Sequence, residues 1–139
     1  MKKLIASALF VLATISMSCS QTPLKNSEST AFGPGLEFEM EKYDYGTIEQ
    51  FGNGTVSFNF TNTGTEPLIL SNVRSSCGCT VPQWPREPIN AGETAAIVVK
   101  YDTKRVGPFN KSISVYSNAT EAPIILRISG TVEAAPAAE

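Results

Sequence analysis

The chain has 139 residues, of which 42% are hydrophobic and 17% are charged, with a formal net charge of −2 and no histidine. The lack of histidine excludes Ser-His-Asp and Cys-His catalytic sites and histidine-ligated metals. The acidic balance argues against nucleic acid as a partner, because binding to phosphates needs clustered positive charge.

Residues 1–18 have the regions of an export signal peptide. Lys2 and Lys3 precede an apolar run of about fourteen residues, and small residues then lead to Cys19. A helix that spans a bilayer needs roughly twenty apolar residues, and no later segment approaches that length. We therefore predict an exported protein whose mature chain does not itself cross a membrane. Because the signal takes Lys2 and Lys3 with it, the mature chain keeps nine of its 11 basic residues against 13 acidic ones.

Cys19 is the predicted attachment point of a lipid. Residues 16–19, Ser-Met-Ser-Cys, keep the small residue before the cysteine but have Ser where bacterial lipoprotein signals most often have Leu. The same segment fits ordinary secretory cleavage, which would release a soluble periplasmic or secreted protein. Lipidation is favoured because a polar stretch follows and because it leaves an even number of cysteines in the exposed chain. We expect a lipoprotein anchored to a membrane, in the periplasm or on the cell surface.

The remaining chain divides into a tether, one domain and a short tail. Residues 19–35 hold the lipid-attachment cysteine and a flexible tether, residues 36–133 the domain, and residues 134–139 a disordered tail. From residue 36 onward, apolar residues alternate with polar ones, as in half-buried strands. Such segments lie at about residues 36–45, 56–60, 68–73, 95–101, 113–115 and 124–132.

The spacing of these segments predicts the fold class. Turn residues such as those of Gly52-Asn53-Gly54 separate the strands, and no stretch has a helical period with caps. Short strands of this number in about a hundred residues predict an all-β, immunoglobulin-like antiparallel β-sandwich of about seven strands. A small barrel is the competing architecture.

Cys77 and Cys79, on either side of Gly78, are the principal candidate site. Residues i and i+2 of a strand share a face, and Gly78 has the backbone freedom to draw both sulfurs together in a tight turn. A disulfide in so small a ring would be strained and readily reduced. Arg74 is a candidate for stabilising a thiolate.

Three interpretations of this pair remain open. The cysteines are packing residues or a local staple, or they form a redox pair, or they bind Cu(I), which prefers thiolates and accepts few ligands. A zinc site is not expected, because zinc needs four ligands. We expect no metal and no cofactor.

Trp84 is the second candidate site. It lies between Pro82 and Pro85, with Pro88 close behind, so its segment is predicted to be stiff and extended. Such a tryptophan either anchors a glycan or peptide ligand or closes one end of the core as a lid. The lid is the favoured interpretation.

Longer stretches of the chain resemble known domains. Residues 43–48 (YDYGTI), 56–64 (VSFNFTNTG) and 67–70 (PLIL) resemble immunoglobulin-like domains of the group that includes the ASPM, SPD-2 and hydin domains and major sperm protein. Residues 73–82 (VRSSCGCTVP) and 107–112 (GPFNKS) are similar to the bacterial family called domain of unknown function 1573. The resemblance covers about residues 38–132. It implies an exported immunoglobulin-like domain, often on a lipoprotein, with no established activity, and fold does not fix function.

The sequence therefore predicts a structural or protein-interaction module of the bacterial cell envelope that is not an enzyme. Its expected partners are the membrane, through the lipid on Cys19, and an unidentified envelope protein. The alternative is a thiol-disulfide redox or Cu(I)-binding protein that uses Cys77 and Cys79. Binding of a glycan or peptide near Trp84, with Arg74 as a further candidate binding residue, is the third hypothesis.

Overall fold

The computed structural model of the chain describes residues 32–136. The predicted signal peptide, Cys19 and most of the predicted tether lie outside these residues, as does the end of the predicted tail. Within residues 32–136 every regular element is a strand. No helix in this part of the chain is long and apolar enough to span a bilayer.

Eight strands form two sheets that pack face to face. The first sheet has the order β1-β3-β6-β5 and the second has the order β2-β8-β7-β4. The strands are β1 (Glu37–Phe38), β2 (Lys42–Glu49), β3 (Thr55–Thr61), β4 (Leu70–Ser75), β5 (Thr80–Gln83), β6 (Thr94–Tyr101), β7 (Gly107–Ser117) and β8 (Ile124–Glu133). This arrangement confirms the predicted all-β sandwich.

Two differences from the prediction concern the number and direction of the strands. The single strand expected at residues 36–45 is divided, because the chain passes from the first sheet to the second between β1 and β2. Since β2 continues in the direction of β1, it pairs with β8 in parallel, whereas the other paired strands are antiparallel. The segment around Pro82 contains an extra strand, β5, which pairs only with β6, and an edge strand tolerates proline.

The core lies between the inward faces of the two sheets. Alternate residues of β3 and β6 face alternate residues of β7 and β8, as the period of two requires. The fully buried side chains include Phe58, Phe60, Ile97, Val99, Ile113, Val115, Leu126 and Ile128. Burial of each such side chain contributes roughly 1.5–3 kcal/mol relative to its exposure, so this layer dominates the folding energy.

One end of the sandwich is organised by a buried asparagine, and we call it the Asn62 end. Asn62 is fully buried just after β3. Its side-chain oxygen accepts hydrogen bonds from the backbone N–H groups of Gly35 (3.1 Å) and Gly64 (3.0 Å). Its amide nitrogen donates to the carbonyl oxygens of Glu66 (2.8 Å) and Ile89 (2.9 Å). The side chain therefore ties the entering chain to two loops, the one between β3 and β4 and the one between β5 and β6.

Candidate functional site

The loops at the opposite end of the sandwich contain residues 50–54, 76–79 and 102–106, and we call this the Cys end. Backbone hydrogen bonds connect the three loops. Phe51 N donates to the carbonyl oxygen of Thr103 (3.3 Å), and Asp102 N donates to the carbonyl oxygen of Cys79 (2.8 Å). The loop at residues 102–106 is thus the centre of this end, with the cysteines on one side and Phe51 on the other.

A disulfide bond joins Cys77 and Cys79, whose Cα atoms are 5.3 Å apart. Cys79 is only 8% exposed, whereas Cys77 is half-buried and packs against the margin of the core. The Oγ1 atom of Thr80 lies 4.0 Å from the sulfur of Cys77. The two cysteines are therefore unequally buried.

The turn between the cysteines does not depend on the special backbone freedom of glycine. Gly78 does not have a positive φ, and an added Cβ would meet no atom within 4 Å. The hydroxyl of Ser75 holds the turn instead, because its oxygen lies within hydrogen-bond distance of the carbonyl oxygens of Cys77 (2.5 Å) and Thr80 (2.7 Å). A hydroxyl has one proton, so it donates to one of these oxygens at a time.

A cavity of about 390 Å³ lies beside Cys79. Its lining includes Lys100 and Lys104, and the exposed side chain of Val81 forms part of its wall. The acidic residue in this lining is Asp102, which is paired with Arg105 at 3.9 Å. The cavity is therefore basic on balance and partly apolar.

Arg74 and Trp84 do not join the cysteines in one site. Arg74 is exposed on β4 next to buried Val73, so it lies on the outer face of its sheet, whereas Cys77 packs against the core. Trp84 follows β5 and packs half-buried at the core margin. The guanidinium carbon of Arg86 lies 3.8 Å from the centre of the tryptophan ring and covers one of its faces.

Phe51 forms the other side of the Cys end. Its side chain is 68% exposed, and its backbone has a φ of 65°. The left-handed conformation costs roughly 1–2 kcal/mol for a residue with a Cβ. Phe51 borders a second cavity, of about 440 Å³, which shares Lys100 and Lys104 with the cavity beside Cys79. Val81 and Val106, which are 57% and 54% exposed, add to the apolar surface of this end.

A cluster of aromatic side chains packs next to the loops of the Cys end. Tyr101 and Phe109 stack with their ring centres 3.8 Å apart, and Tyr45 packs on Phe109 at 5.7 Å. The hydroxyl of Tyr45 donates to the carbonyl oxygen of Gly54 (2.8 Å). Burial, and secondarily the neighbouring Tyr43, raises the pKa of Tyr45 to about 12. Burial also raises the pKa of Tyr101.

Several residues of this end were not identified from the sequence. Phe51 was visible as a large apolar residue inside a glycine-rich turn, which is an unusual composition for a turn. Lys100 and Lys104 carried no such signal, because their position beside Cys79 results from the pairing of β5 with β6. Within residues 32–136 no group of three or more Cys, Asp or Glu is arranged to hold a metal ion.

Comparison with known proteins places this geometry in a family. No curated protein matches the chain significantly. A protein of unknown function from Porphyromonas gingivalis W83 is similar in structure, with a TM-score of 0.64 and 15% identity over 76% of this chain. This chain spans about half of that protein, covering 50% of its length.

Two further solved structures share the fold. The ASH/PapD-like domain 7 of human CEP192 has a TM-score of 0.59 and 12% identity, over 88% of this chain and 99% of the domain. The secreted serine protease VesC from Vibrio cholerae has a TM-score of 0.55 and 17% identity, over 73% of this chain and 24% of the protease. Residues 36–132 match the family described as "Protein of unknown function (DUF1573)", and the chain belongs to that family.

Proposed function

We propose that this chain is a protein-interaction module of the bacterial cell envelope, held to a membrane by a lipid on Cys19. In this proposal the Cys end docks an envelope protein. The immunoglobulin-like fold of the family and its likeness to a PapD-like domain are compatible with such a role. The chain has no histidine, which leaves the Cys end without the commonest general base.

The proposal rests on the exposure and the backbone conformation of Phe51. An exposed aromatic side chain contributes little to the core, and the left-handed backbone beneath it costs free energy. Stability alone therefore does not explain an aromatic residue at this position. Aromatic residues are enriched among the anchors of protein interfaces, where they fill a partner's pocket. The exposed Val81 and Val106 extend the same apolar surface.

The direction of the chain suits this role. Residues 33–35 contact the loops of the Asn62 end, so the predicted tether would enter the domain there. The strand β8 has ten residues and rises roughly 3.3 Å per residue, so the two ends of the sandwich are about 30 Å apart. A lipid on Cys19 would leave the Cys end free to face a partner.

Site-specific crosslinking in cells tests the docking surface. A photo-reactive amino acid replaces Phe51 in one variant and Tyr116, an exposed aromatic on the outer face of β7, in the control. We expect one discrete protein adduct from position 51 and none from position 116. Equal adducts from both positions, or none from either, would contradict docking through the Cys end.

A second experiment tests the anchor. The variant Cys19→Ser should lose incorporation of labelled palmitate and move from the membrane fraction to the soluble fraction. Retention of both label and membrane association would overturn the lipid anchor, and it would leave the docking surface to be judged by the crosslinks.

Thiol-disulfide exchange at Cys77 and Cys79 is the second candidate function. It is favoured by the disulfide itself and by the partial exposure of Cys77. A disulfide that closes a ring of three residues removes little conformational entropy from the unfolded chain. It therefore stabilises the fold by only about 1.5 kcal/mol. Equilibration with glutathione buffers and mass analysis of alkylated protein would give its potential. We expect a value above about −300 mV, and a pair that stays oxidised in every buffer would exclude the function.

The remaining alternatives have less support. Cu(I) binding requires both cysteines as thiolates, and the structure has them bonded to each other. Recognition of a glycan or peptide by Trp84 would have to use a ring that packs at the core margin and is covered on one face by Arg86.

A further inference from the structure

We infer that Cys77 is the sulfur through which this protein exchanges disulfides, and that the basic cavity beside Cys79 receives an acidic segment of a partner protein that carries two thiols. The inference rests on the second candidate function, because it requires that the disulfide exchange at all. It adds the roles of the two cysteines and the chemistry of the substrate.

The two cysteines differ in burial. Cys79 is 8% exposed, and Asp102 N binds its carbonyl oxygen at 2.8 Å, so the residue is fixed between β5 and the loop at residues 102–106. Cys77 is half-buried in a loop that follows β4. An incoming thiolate therefore reaches the sulfur of Cys77 more easily, and attack there makes Cys79 the leaving group.

Positively charged side chains line the cavity beside the leaving cysteine. Cys79, Lys100 and Lys104 line one cavity, and cations lower the free energy of a nearby thiolate.

The acidic residues of this region leave that charge largely uncompensated. Asp102 is paired with Arg105. Glu49 and Glu133, which end β2 and β8, do not line the cavity beside Cys79. The cavity beside Cys79 therefore favours a partner segment with Asp or Glu, and the exposed Val81 offers it an apolar contact.

The exchange balances without any further reactant. A thiolate of the partner attacks the sulfur of Cys77, a new bond forms between these two sulfurs, and the Cys77–Cys79 bond breaks with its electron pair on Cys79. The second thiolate of the partner then attacks the partner sulfur of the mixed disulfide and displaces Cys77 as a thiolate. The partner loses two electrons and gains a disulfide, and Cys77 and Cys79 gain two electrons and take up protons from water. The hydroxyl of Thr80, 4.0 Å from the sulfur of Cys77, is placed to donate to this thiolate.

The test uses the full chain with Cys19→Ser, so that Cys77 and Cys79 are its only thiols. Two peptide dithiols of equal length, one rich in Asp and one rich in Lys, reduce the oxidised protein at low salt. The ratio of the two rates, acidic over basic, is measured by alkylation and mass analysis. The variant Lys100→Gln with Lys104→Gln should lower this ratio roughly tenfold, as expected when a steering charge is removed.

The control variant also removes two positive charges, but at a site outside the cavity beside Cys79. Lys42 and Arg127 are neighbours on the outer face of β2 and β8, and Lys42→Gln with Arg127→Gln removes the same two charges. This control should leave the ratio unchanged within about twofold. Thermal unfolding of each variant checks that it is folded.

Single-cysteine variants test the roles of the two sulfurs. With an aromatic disulfide reagent, Cys77 in the variant Cys79→Ser should react roughly tenfold faster than Cys79 in the variant Cys77→Ser. Faster reaction of Cys79 than of Cys77 would overturn the inference. So would a ratio of peptide rates that the Lys100 and Lys104 substitutions change no more than the control does. Neither result would exclude thiol-disulfide exchange as a function. A disulfide that neither peptide reduces would overturn the second candidate function and this inference together.

Discussion

The Asn62 end and the Cys end are built from similar loops, yet they use polar and apolar groups in opposite ways. At the Asn62 end both polar atoms of a fully buried side chain are hydrogen-bonded, each to two backbone groups. At the Cys end an aromatic side chain is exposed over a left-handed backbone, and two lysines line open cavities. The first arrangement lowers the energy of the fold, whereas the second leaves surface available for a partner.

Asn62→Ala tests the structural role of the Asn62 end and has the largest expected effect. The substitution removes four hydrogen bonds and leaves buried backbone groups without partners, so the free energy of unfolding should fall by about 3 kcal/mol. Urea unfolding followed by Trp84 fluorescence measures it. The control Asn59→Ala, at an exposed pair with Glu39, should change stability by less than about 0.5 kcal/mol. Equal effects of both would remove the distinction between the two ends.

Loss of the disulfide should cost less than loss of Asn62. Cys77→Ala with Cys79→Ala opens a ring of three residues, so the free energy of unfolding should fall by about 1.5 kcal/mol. The same urea titration, with and without a reductant for the parent protein, gives the value. A loss larger than that of Asn62→Ala would make the disulfide the main staple of the domain and would count against its reversible exchange.

Alkaline pH should weaken the Cys end through Tyr45. Its pKa is about 12 in the folded protein and about 10 in the unfolded chain, so between these values the unfolded state ionises first. The contribution of Tyr45 to the free energy of unfolding is therefore fully present below pH 10 and is lost as the pH rises toward 12. The loss is about 1 kcal/mol at pH 11 after allowance for partial exposure. Tyr45→Phe should lose its bond to Gly54 at pH 8 but show a smaller decline between pH 8 and 11. Tyr116→Phe is the control, and its decline should equal that of the parent protein.

Phe51→Gly has the smallest expected effect and the opposite sign. Relief of the left-handed backbone gains about 1 kcal/mol, and the greater freedom of glycine in the unfolded chain offsets part of it, so stability should rise by about 0.5 kcal/mol. Phe51→Ala keeps the strained backbone and serves as the control. Both variants should lose the partner in a pull-down from envelope extracts. A loss of stability in both would show that Phe51 supports the fold rather than a partner.

The strands were predictable because each alternates apolar and polar residues over a short range. Phe58, Phe60, Ile97 and Val99 mark the core face of β3 and β6 without any knowledge of the partner strand. The division into β1 and β2 was not predictable, because the period of two gives the face of a residue but not the sheet to which its strand belongs.

The Cys end was only partly predictable for a similar reason. The cysteine pair was evident from its spacing, but the lysines beside it reach the site through the pairing of Thr80 with Tyr101, which is a long-range contact. The unequal burial of the two cysteines was not predictable either, because Cys79 is held by a long-range bond from Asp102 N to its carbonyl oxygen.

The parallel pairing of β2 with β8 has a mechanical consequence. Residues 33–35 lie at one end, and the Cys end lies about 30 Å away along the strands, so tension between the proposed N-terminal anchor and the proposed partner would act along the strand axes. Strands β2 and β8 run along this direction, and the hydrogen bonds between residues 42–49 and 127–133 lie across it. These hydrogen bonds would then be loaded together in shear rather than opened one after another. If the proposed anchor and partner are present, the domain would transmit force between them without being unzipped.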